Sequence, residues 1–373
     1  DDPHRTVAMD LCAQSVTALS DILKRQIAKT GPLTLAEYMS ACLLHPEHGY
    51  YTNQNAFGAD GDFTTAPEIS QMFGELIGLS LAQAWMDQGS ADAICLVELG
   101  PGCGTLMADI LRATAQVPGF HQSKQVHLVE ASSQMQAKQA KALLGHRPTW
   151  HSTVETLPED QPIFVVANEF FDALPIRQFQ RDAHGWREVM VGLDAGGALQ
   201  FGLSDAAPLD ALERRLDDTE VGALVETRAQ AATVVEALAQ RMASNGGAAL
   251  IIDYGGWRSD GDSFQAVRAH KPVGPLETPG AADLTAHVDF EPLATTARAQ
   301  GCAASQITQQ GVFLERLGIT ARARGLAKGL SGDQLESHIA AHRRLTHPDE
   351  MGSLFKVMGL YPDTESPPPG LDP

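Results

Sequence analysis

Three glycines at alternate positions, Gly100, Gly102 and Gly104, follow an acidic residue, Glu98, and precede a hydroxyl, Thr105. Glycine lets backbone approach a ligand without a Cβ in the way, and a glycine-rich turn gains meaning where it ends a strand and opens a helix. The apolar run Ile94–Leu99 supplies such a strand. The spacing is GxGxG and not GxGxxG, so the third glycine is displaced from where a dinucleotide pyrophosphate and its packing helix need it. Glu98 would repel phosphate but suits a cationic ligand that carries an ammonium. One strand further on, Glu130 closes the segment 126–130, where a carboxylate can accept bonds from both hydroxyls of a ribose. An adenosine joined to a sulfonium amino acid satisfies all of these features, and the pattern reads as a pocket for S-adenosylmethionine.

A second group of candidates follows the apolar run 163–167. Asn168, Glu169, Phe170, Phe171 and Asp172 would lie at the carboxyl end of a parallel strand, where ligands of such sheets bind. Glu169 and Asp172 are expected to clamp a substrate, with Asn168, Phe170 and Phe171 walling the pocket; the bland alternative makes Asp172 a turn cap before Pro175 and both phenylalanines core. Asp253 and Tyr254 end another strand and either add an acidic wall to the same crevice or form a strand-ending turn. His45, His48 and His287 are candidate proton shuttles, against the commoner structural role of a lone histidine. The loop 60–68, with Asp62, Thr65, Pro67 and Glu68, is expected to be a lid over the donor. Cys103 is expected to line the glycine turn and not to be a reactive thiol. Methyl transfer from a sulfonium is an in-line displacement that rests on positioning and exclusion of water, and no metal is expected.

The elements that must position these residues are short apolar strands alternating with helices: 94–99, a helix from Leu106, 126–130, a helix from Gln134, 163–168 and 248–253. Continuous apolar runs are buried on both sheet faces, and βα alternation gives a doubly wound, mostly parallel sheet, so the fold class is α/β, a Rossmann-like class I methyltransferase core spanning 91–178 and 244–360. Residues 1–90 carry helical patterns at 16–28, 35–44 and 69–88 and read as a helical cap with the lid loop. Segments 186–193 and 198–203 flank Asp194-Ala195-Gly196-Gly197 as a β-hairpin, and with a helix at 227–242 they form an inserted α+β segment, 179–243. A strand-helix region near 303–318 and a closing strand at 354–360 follow. The Pro-rich stretch 361–373 reads as a disordered tail.

At 373 residues the chain can bury a full core. The net charge of −19 and the absence of any Lys/Arg run argue against nucleic-acid binding, and the longest apolar runs are too short to span a bilayer. Five cysteines, odd in number and without a CxxC pair, argue against a disulfide framework or structural zinc. The amino terminus resembles neither a signal nor a transit peptide, which points to a bacterial cytoplasmic protein, or a mature matrix one if eukaryotic; residues 1–8, ahead of Met9, read as an appended remnant. A homodimer is compatible with the sequence, which specifies no interface.

Several longer stretches carry a family resemblance. Residues 31–39 (GPLTLAEYM), 49–51 (GYY), 61–70 (GDFTTAPEIS), 97–106, 168–175 (NEFFDALP), 185–188 (GWRE) and 282–285 (ADLT) closely resemble the MidA family, the mitochondrial complex I assembly-factor methyltransferases and their bacterial relatives. The resemblance implies a protein arginine methyltransferase acting on a core hydrophilic subunit of NADH:ubiquinone oxidoreductase, with S-adenosylmethionine as donor. Cys103 departs from the pattern, standing where the mitochondrial members carry arginine. Three other readings are weighed against it: a methyltransferase for another protein or small-molecule acceptor, an assembly chaperone that binds cofactor without turnover, and a nicotinamide dehydrogenase, which the glycine spacing disfavours.

Overall fold

A computed structural model of the chain describes residues 17–52, 65–258 and 261–373. The central sheet comprises β1 (Ile94–Leu99), β2 (Lys124–Val129), β3 (Thr149–His151), β4 (Ile163–Asn168), β5 (Gly247–Gly256), β6 (Cys302–Ala304) and β7 (Phe355–Pro362), in the spatial order β6-β7-β5-β4-β1-β2-β3. Strands β1 to β5 are mutually parallel, while β7 runs antiparallel between β5 and β6. Every residue of β1 and of β4 is buried, which is why both are continuous apolar runs and not alternating ones.

The helices include α1 (Ala18–Thr30), α2 (Leu35–Leu44), α3 (Gln71–Asp87), α4 (Thr105–Thr114), α5 (Ser133–Ala142), α6 (Ala229–Asn245) and α7 (Phe290–Ala299), of which α3 to α7 lie along the central sheet. On one face Met72, Phe73 and Ile77 of α3 join Leu106 and Ile110 of α4 over Leu96, Phe164 and Leu250. Close approach of these two helices is written into the sequence: a Cβ at Gly78 would lie 2.9 Å from the Ile110 Cα. On the other face Val235, Leu238 and Met242 of α6 and Leu293 of α7 pack over Val97, Val165 and Ile251.

These contacts revise the expected division of the chain. Residues 71–87 form a core helix and not part of a cap, and α6 is the crossover that returns the chain from β4 to the parallel β5, not part of an insertion. What remains of both expected units merges into one layer. Leu33–Thr34 pairs antiparallel with the strand Gly185–Leu193, which also pairs with Arg177–Asp182 and, as the expected hairpin, with Leu199–Leu203. Leu19, Leu23 and Ile27 of α1 and Tyr38, Met39 and Leu43 of α2 share a separate core with Ile176, Val191 and Leu284. A reciprocal cap fixes the start of α2: the Thr34 hydroxyl accepts from the Glu37 N–H at 3.2 Å, and the Thr34 N–H donates to Glu37 Oε2 at 2.8 Å.

The stretch 361–373 is not a disordered tail. Leu371 is buried in the main core, the Ser80 hydroxyl donates to the Pro369 carbonyl at 2.9 Å, and Arg316 pairs with Asp372 at 2.8 Å. Consecutive prolines restrict the unfolded chain, so tying down this segment costs less entropy than its composition suggests.

Glu75, buried on α3, ties three helices of one layer together. It accepts from Arg112 of α4 at 2.6 Å and from Arg322 of the helix Ile319–Ala327 at 2.7 and 2.9 Å. Burial opposes its ionisation, but the two guanidiniums prevail and hold the carboxyl below its usual range. Replacing Glu75 by Ala removes charge-assisted bonds from a buried position and should lower unfolding stability by about 2 kcal/mol; urea titration of wild type and variant measures it, and an unchanged midpoint would show that the bridge contributes nothing.

Candidate active site

The glycine turn leaves β1 with the Gly100 N–H donating to the Val129 carbonyl at 3.1 Å, which draws it toward the end of β2. Gly100, Gly102 and Gly104 have φ of +61°, +50° and +87°, values that L side chains rarely adopt. At Gly100 there is also no room: a Cβ would lie 2.9 Å from the Phe170 ring. Gly104 caps the start of α4.

Two connected hollows meet at this turn. A wide cavity of about 660 Å³ is lined by Gly100, Gly102, Glu130, Glu169 and Phe170, by Tyr51 and by residues 152–155 beyond β3. A narrow cleft of about 50 Å³ is bounded by Glu98, Gly100, Gly102, Cys103, Thr105, Asn168 and Glu169, with Thr65, Pro67 and Glu68 across from them. The motifs from four separate parts of the sequence thus converge at the carboxyl end of β1, β2 and β4. Asp62 lies outside the described residues.

Glu98 is 3% exposed, and its Oε2 has no hydrogen-bond partner. Loss of water pushes its carboxyl up to about 8, although the Met107 N–H at the start of α4 pulls the other way. An unpartnered buried carboxylate oxygen beside an open cleft suits an incoming ammonium. Glu130 is held from two sides, its Oε1 accepting from the Ser132 N–H at 2.7 Å and its Oε2 from Gln139 at 3.2 Å. Burial raises its carboxyl, with the Ser132 bond acting in the opposite sense.

Glu169 lies just past β4 with φ of +52°, a strained conformation for a residue with a side chain. Its N–H donates to the Ile252 carbonyl at 2.9 Å, and its Oε1 accepts from the Ala66 N–H and from Asn168 Nδ2, both at 3.1 Å. Burial, and then the nearby Asp172, push its carboxyl up to about 7. Of the expected clamp, only Glu169 lines the hollows. Asp172 is buried behind it, raised by burial, with Oδ1 unpartnered. Asp253 is fully buried and raised well above the usual carboxylate range by burial and by Asp172 and Glu169. Its Oδ2 accepts from the N–H groups of Phe171 and Asp172 at 3.0 and 3.2 Å, and its Oδ1 from that of Tyr254 at 3.0 Å. Asp253 is a brace for the loop and not an acidic wall.

Other expectations are redistributed in the same way. Phe170 walls the wide cavity, whereas Phe171 is fully buried in the core behind it, the two rings meeting edge to face at 5.3 Å. Tyr254 is buried between His287 and Phe355, at 5.4 Å from each ring. The Thr105 hydroxyl donates to Glu68 Oε1 at 2.7 Å, so it ties the cleft's two sides together. His45 uses its Nδ1 to accept from the N–H groups of Glu47 and His48, and none of the three expected shuttles lines either hollow.

Two organising residues escape sequence reading. Gln139, buried on α5, donates to the Gly102 carbonyl and to Glu130, and accepts from Trp150 at 2.8 Å, coupling the glycine turn to the ribose-type carboxylate. Arg228 donates to the carbonyls of Leu174, Ala286 and His287 and faces Asp253, Asp172 and Glu226. Its charge already answers the buried aspartates, leaving Glu169 as the carboxylate open to a ligand. Among the described residues no group of three or more His, Cys, Asp or Glu is placed to hold a metal ion, and no helix is long and apolar enough to cross a membrane.

A family model of S-adenosyl-L-methionine-dependent methyltransferases matches residues 76–308, well over half of the chain. The chain belongs to this family. Among curated relatives, the mitochondrial protein arginine methyltransferase NDUFAF7 of Danio rerio is 39% identical over 91% of this chain and 85% of its own length. The Homo sapiens protein of the same name is 36% identical over 93% and 84%. The crystal structure of a candidate methyl transferase from Burkholderia thailandensis, bound to S-adenosyl-homocysteine, superposes with a TM-score of 0.82 at 28% identity, covering 95% of this chain and 94% of that one. The methyltransferase therefore uses S-adenosylmethionine as its donor and has the doubly wound α/β core expected of it. The residues at hand fit that donor: the unpartnered Glu98 oxygen belongs to a residue lining the cleft and would suit an ammonium, the glycine turn has no side chain where backbone would approach, and Glu130 is fixed at the next strand end.

The Glu98 carboxyl predicts proton linkage. Raised to about 8 by burial, it is largely protonated at pH 7, and an ammonium beside it favours the ionised form. Donor or product binding at pH 7 should release a proton, and affinity should rise with pH until Glu98 is ionised without ligand. Calorimetry of S-adenosylhomocysteine binding in two buffers of different ionisation enthalpy counts the proton; the same count in Glu98→Gln as in wild type would remove Glu98 from this role.

Proposed function

We propose that this methyltransferase modifies an arginine side chain of a protein, with Glu169 as the residue that meets the guanidinium. The observation that carries the reading is the position of Glu169 in the lining of both hollows, with Oε1 occupied and Oε2 not bonded among the described residues. The names of the relatives support arginine as the acceptor. Glu98, the glycine turn and Glu130 would hold the donor, whose sulfonium supplies an electrophilic methyl group. Phe170 would press the turn and the acceptor together from the cavity wall.

A guanidinium is protonated at ordinary pH and its nitrogen lone pairs are delocalised. Transfer forms a carbon–nitrogen bond, leaves the carbon–sulfur pair on sulfur, and requires one N–H proton to depart. A carboxylate can orient the guanidinium plane by charge-assisted bonds, and one whose affinity for protons is raised to about 7 is well placed to receive that proton. Asp172, Asp253 and Arg228 act behind it by fixing the loop and its field.

The acceptor protein suggested by the family resemblance is a hydrophilic subunit of NADH:ubiquinone oxidoreductase, encountered in the bacterial cytoplasm or in the mitochondrial matrix. Incubating the purified enzyme with donor and such subunits, followed by mass spectrometry of arginine peptides, tests the assignment. Glu169→Gln should reduce methylarginine formation by about a hundredfold or more while S-adenosylhomocysteine affinity stays within about threefold; methylation at the wild-type rate would defeat the role given to Glu169. Methylation confined to lysine, or to a small molecule, would defeat the arginine reading and leave the donor site intact.

A further inference from the structure

The cleft beneath the turn Ala66–Ile69 is small, about 50 Å³, and that turn closes it from one side. Two side-chain bonds hold it there. The Ala66 N–H, at the turn's start, donates to Glu169 Oε1 at 3.1 Å, and Glu68 Oε1 accepts from the Thr105 hydroxyl at the first residue of α4, at 2.7 Å. Both anchors stand on the donor side of the molecule: Thr105 ends the glycine turn and Glu169 is the carboxylate at the junction with the wide cavity. We infer that Glu68 and Thr105 are positioning residues which, together with Oε1 of Glu169, latch the 66–69 turn over the amino-acid end of the donor, so that one carboxylate both closes the donor cleft and serves the acceptor. The inference rests on the proposed acceptor role of Glu169 for its second half only; the latch itself concerns the donor cleft.

The two oxygens of Glu169 divide the work. Oε1 is spent on the Ala66 and Asn168 donors, which leaves Oε2 for the acceptor. The strained backbone at Glu169 is what lets its side chain reach across to the turn while the preceding strand stays in the sheet. When a guanidinium nitrogen takes the methyl group, its proton passes to this carboxyl. A protonated carboxyl is a weaker acceptor than a carboxylate, so the bond to Ala66 weakens after transfer and not before. Closure thus depends on an ionised Glu169, and release of the demethylated donor follows the proton.

Dissociation of S-adenosylhomocysteine from the full-length enzyme, followed by stopped-flow fluorescence without acceptor, tests the latch apart from any chemistry. Glu68→Ala and Thr105→Val should each speed dissociation by about tenfold, the worth of one charge-assisted bond, and the double variant should be no faster than either single one. Glu169→Ala should also speed release by about tenfold, whereas Glu169→Gln, which keeps an accepting oxygen for Ala66 but not its charge, should speed it by about threefold. Methylthioadenosine, which lacks the amino-acid end, should bind all variants alike. Unchanged dissociation in Glu68→Ala, additive effects in the double variant, or equal weakening of methylthioadenosine would overturn the latch. A latch that behaves as described while Glu169→Gln still methylates at the wild-type rate would leave the closure standing and remove its link to the acceptor.

Discussion

Most of the site turns on one buried carboxylate that touches no ligand. Asp253 sits at the end of β5 and gathers the N–H groups of Phe171, Asp172 and Tyr254. Those bonds draw the loop after β4 back over the neighbouring strand, and with it come the orientation of Glu169 and the placing of Phe170 against Gly100. The three backbone donors replace part of the hydration that this buried carboxyl loses, and leaving such donors unsatisfied in the interior would be costly. Arg228 completes the arrangement from the next layer by bonding the carbonyls of 174, 286 and 287. The ligand-facing edge is therefore rigid from behind, and the groups in front of it can be few.

The distribution of proton affinity follows from that architecture. Glu98 and Glu169 both line the cleft, both are raised by loss of water, and among the described residues no cation is bonded to either. Glu75, equally buried, is ionised because two guanidiniums meet it. The same side chain is thus a structural bridge in one layer and a poised acid at the sheet edge, and the difference is made entirely by what stands opposite. A site awaiting a cationic donor and a cationic acceptor is built by withholding such partners.

The sequence makes some of this legible and hides the rest for physical reasons. The strands β1, β4 and β5 announce themselves because a strand covered on both faces must be continuously apolar. The glycine turn is legible because its backbone angles admit few other residues. The helix Gln71–Asp87 has the right periodicity, but a helical period says which face is apolar and not what covers it, so a core helix passes for part of a cap. The same ambiguity assigns α6 to an insertion. Phe170 and Phe171 are chemically identical neighbours, and only the path of the turn decides which faces the cavity. Gln139 and Arg228 carry no local signal, since their importance lies in carbonyls and carboxylates brought to them by other segments.

The position of β7 has a consequence for how the molecule comes into being. This strand lies between β5 and β6, pairs with β5 from Ala249 to Tyr254, and shares the main core with Leu371. A nascent chain emerging from the ribosome carries the whole donor-binding half long before it carries β7, so one side of β5 stays unpaired until residues 355–362 have followed. A chain interrupted before residue 355 would carry its glycine turn intact and leave that side of β5 unsealed.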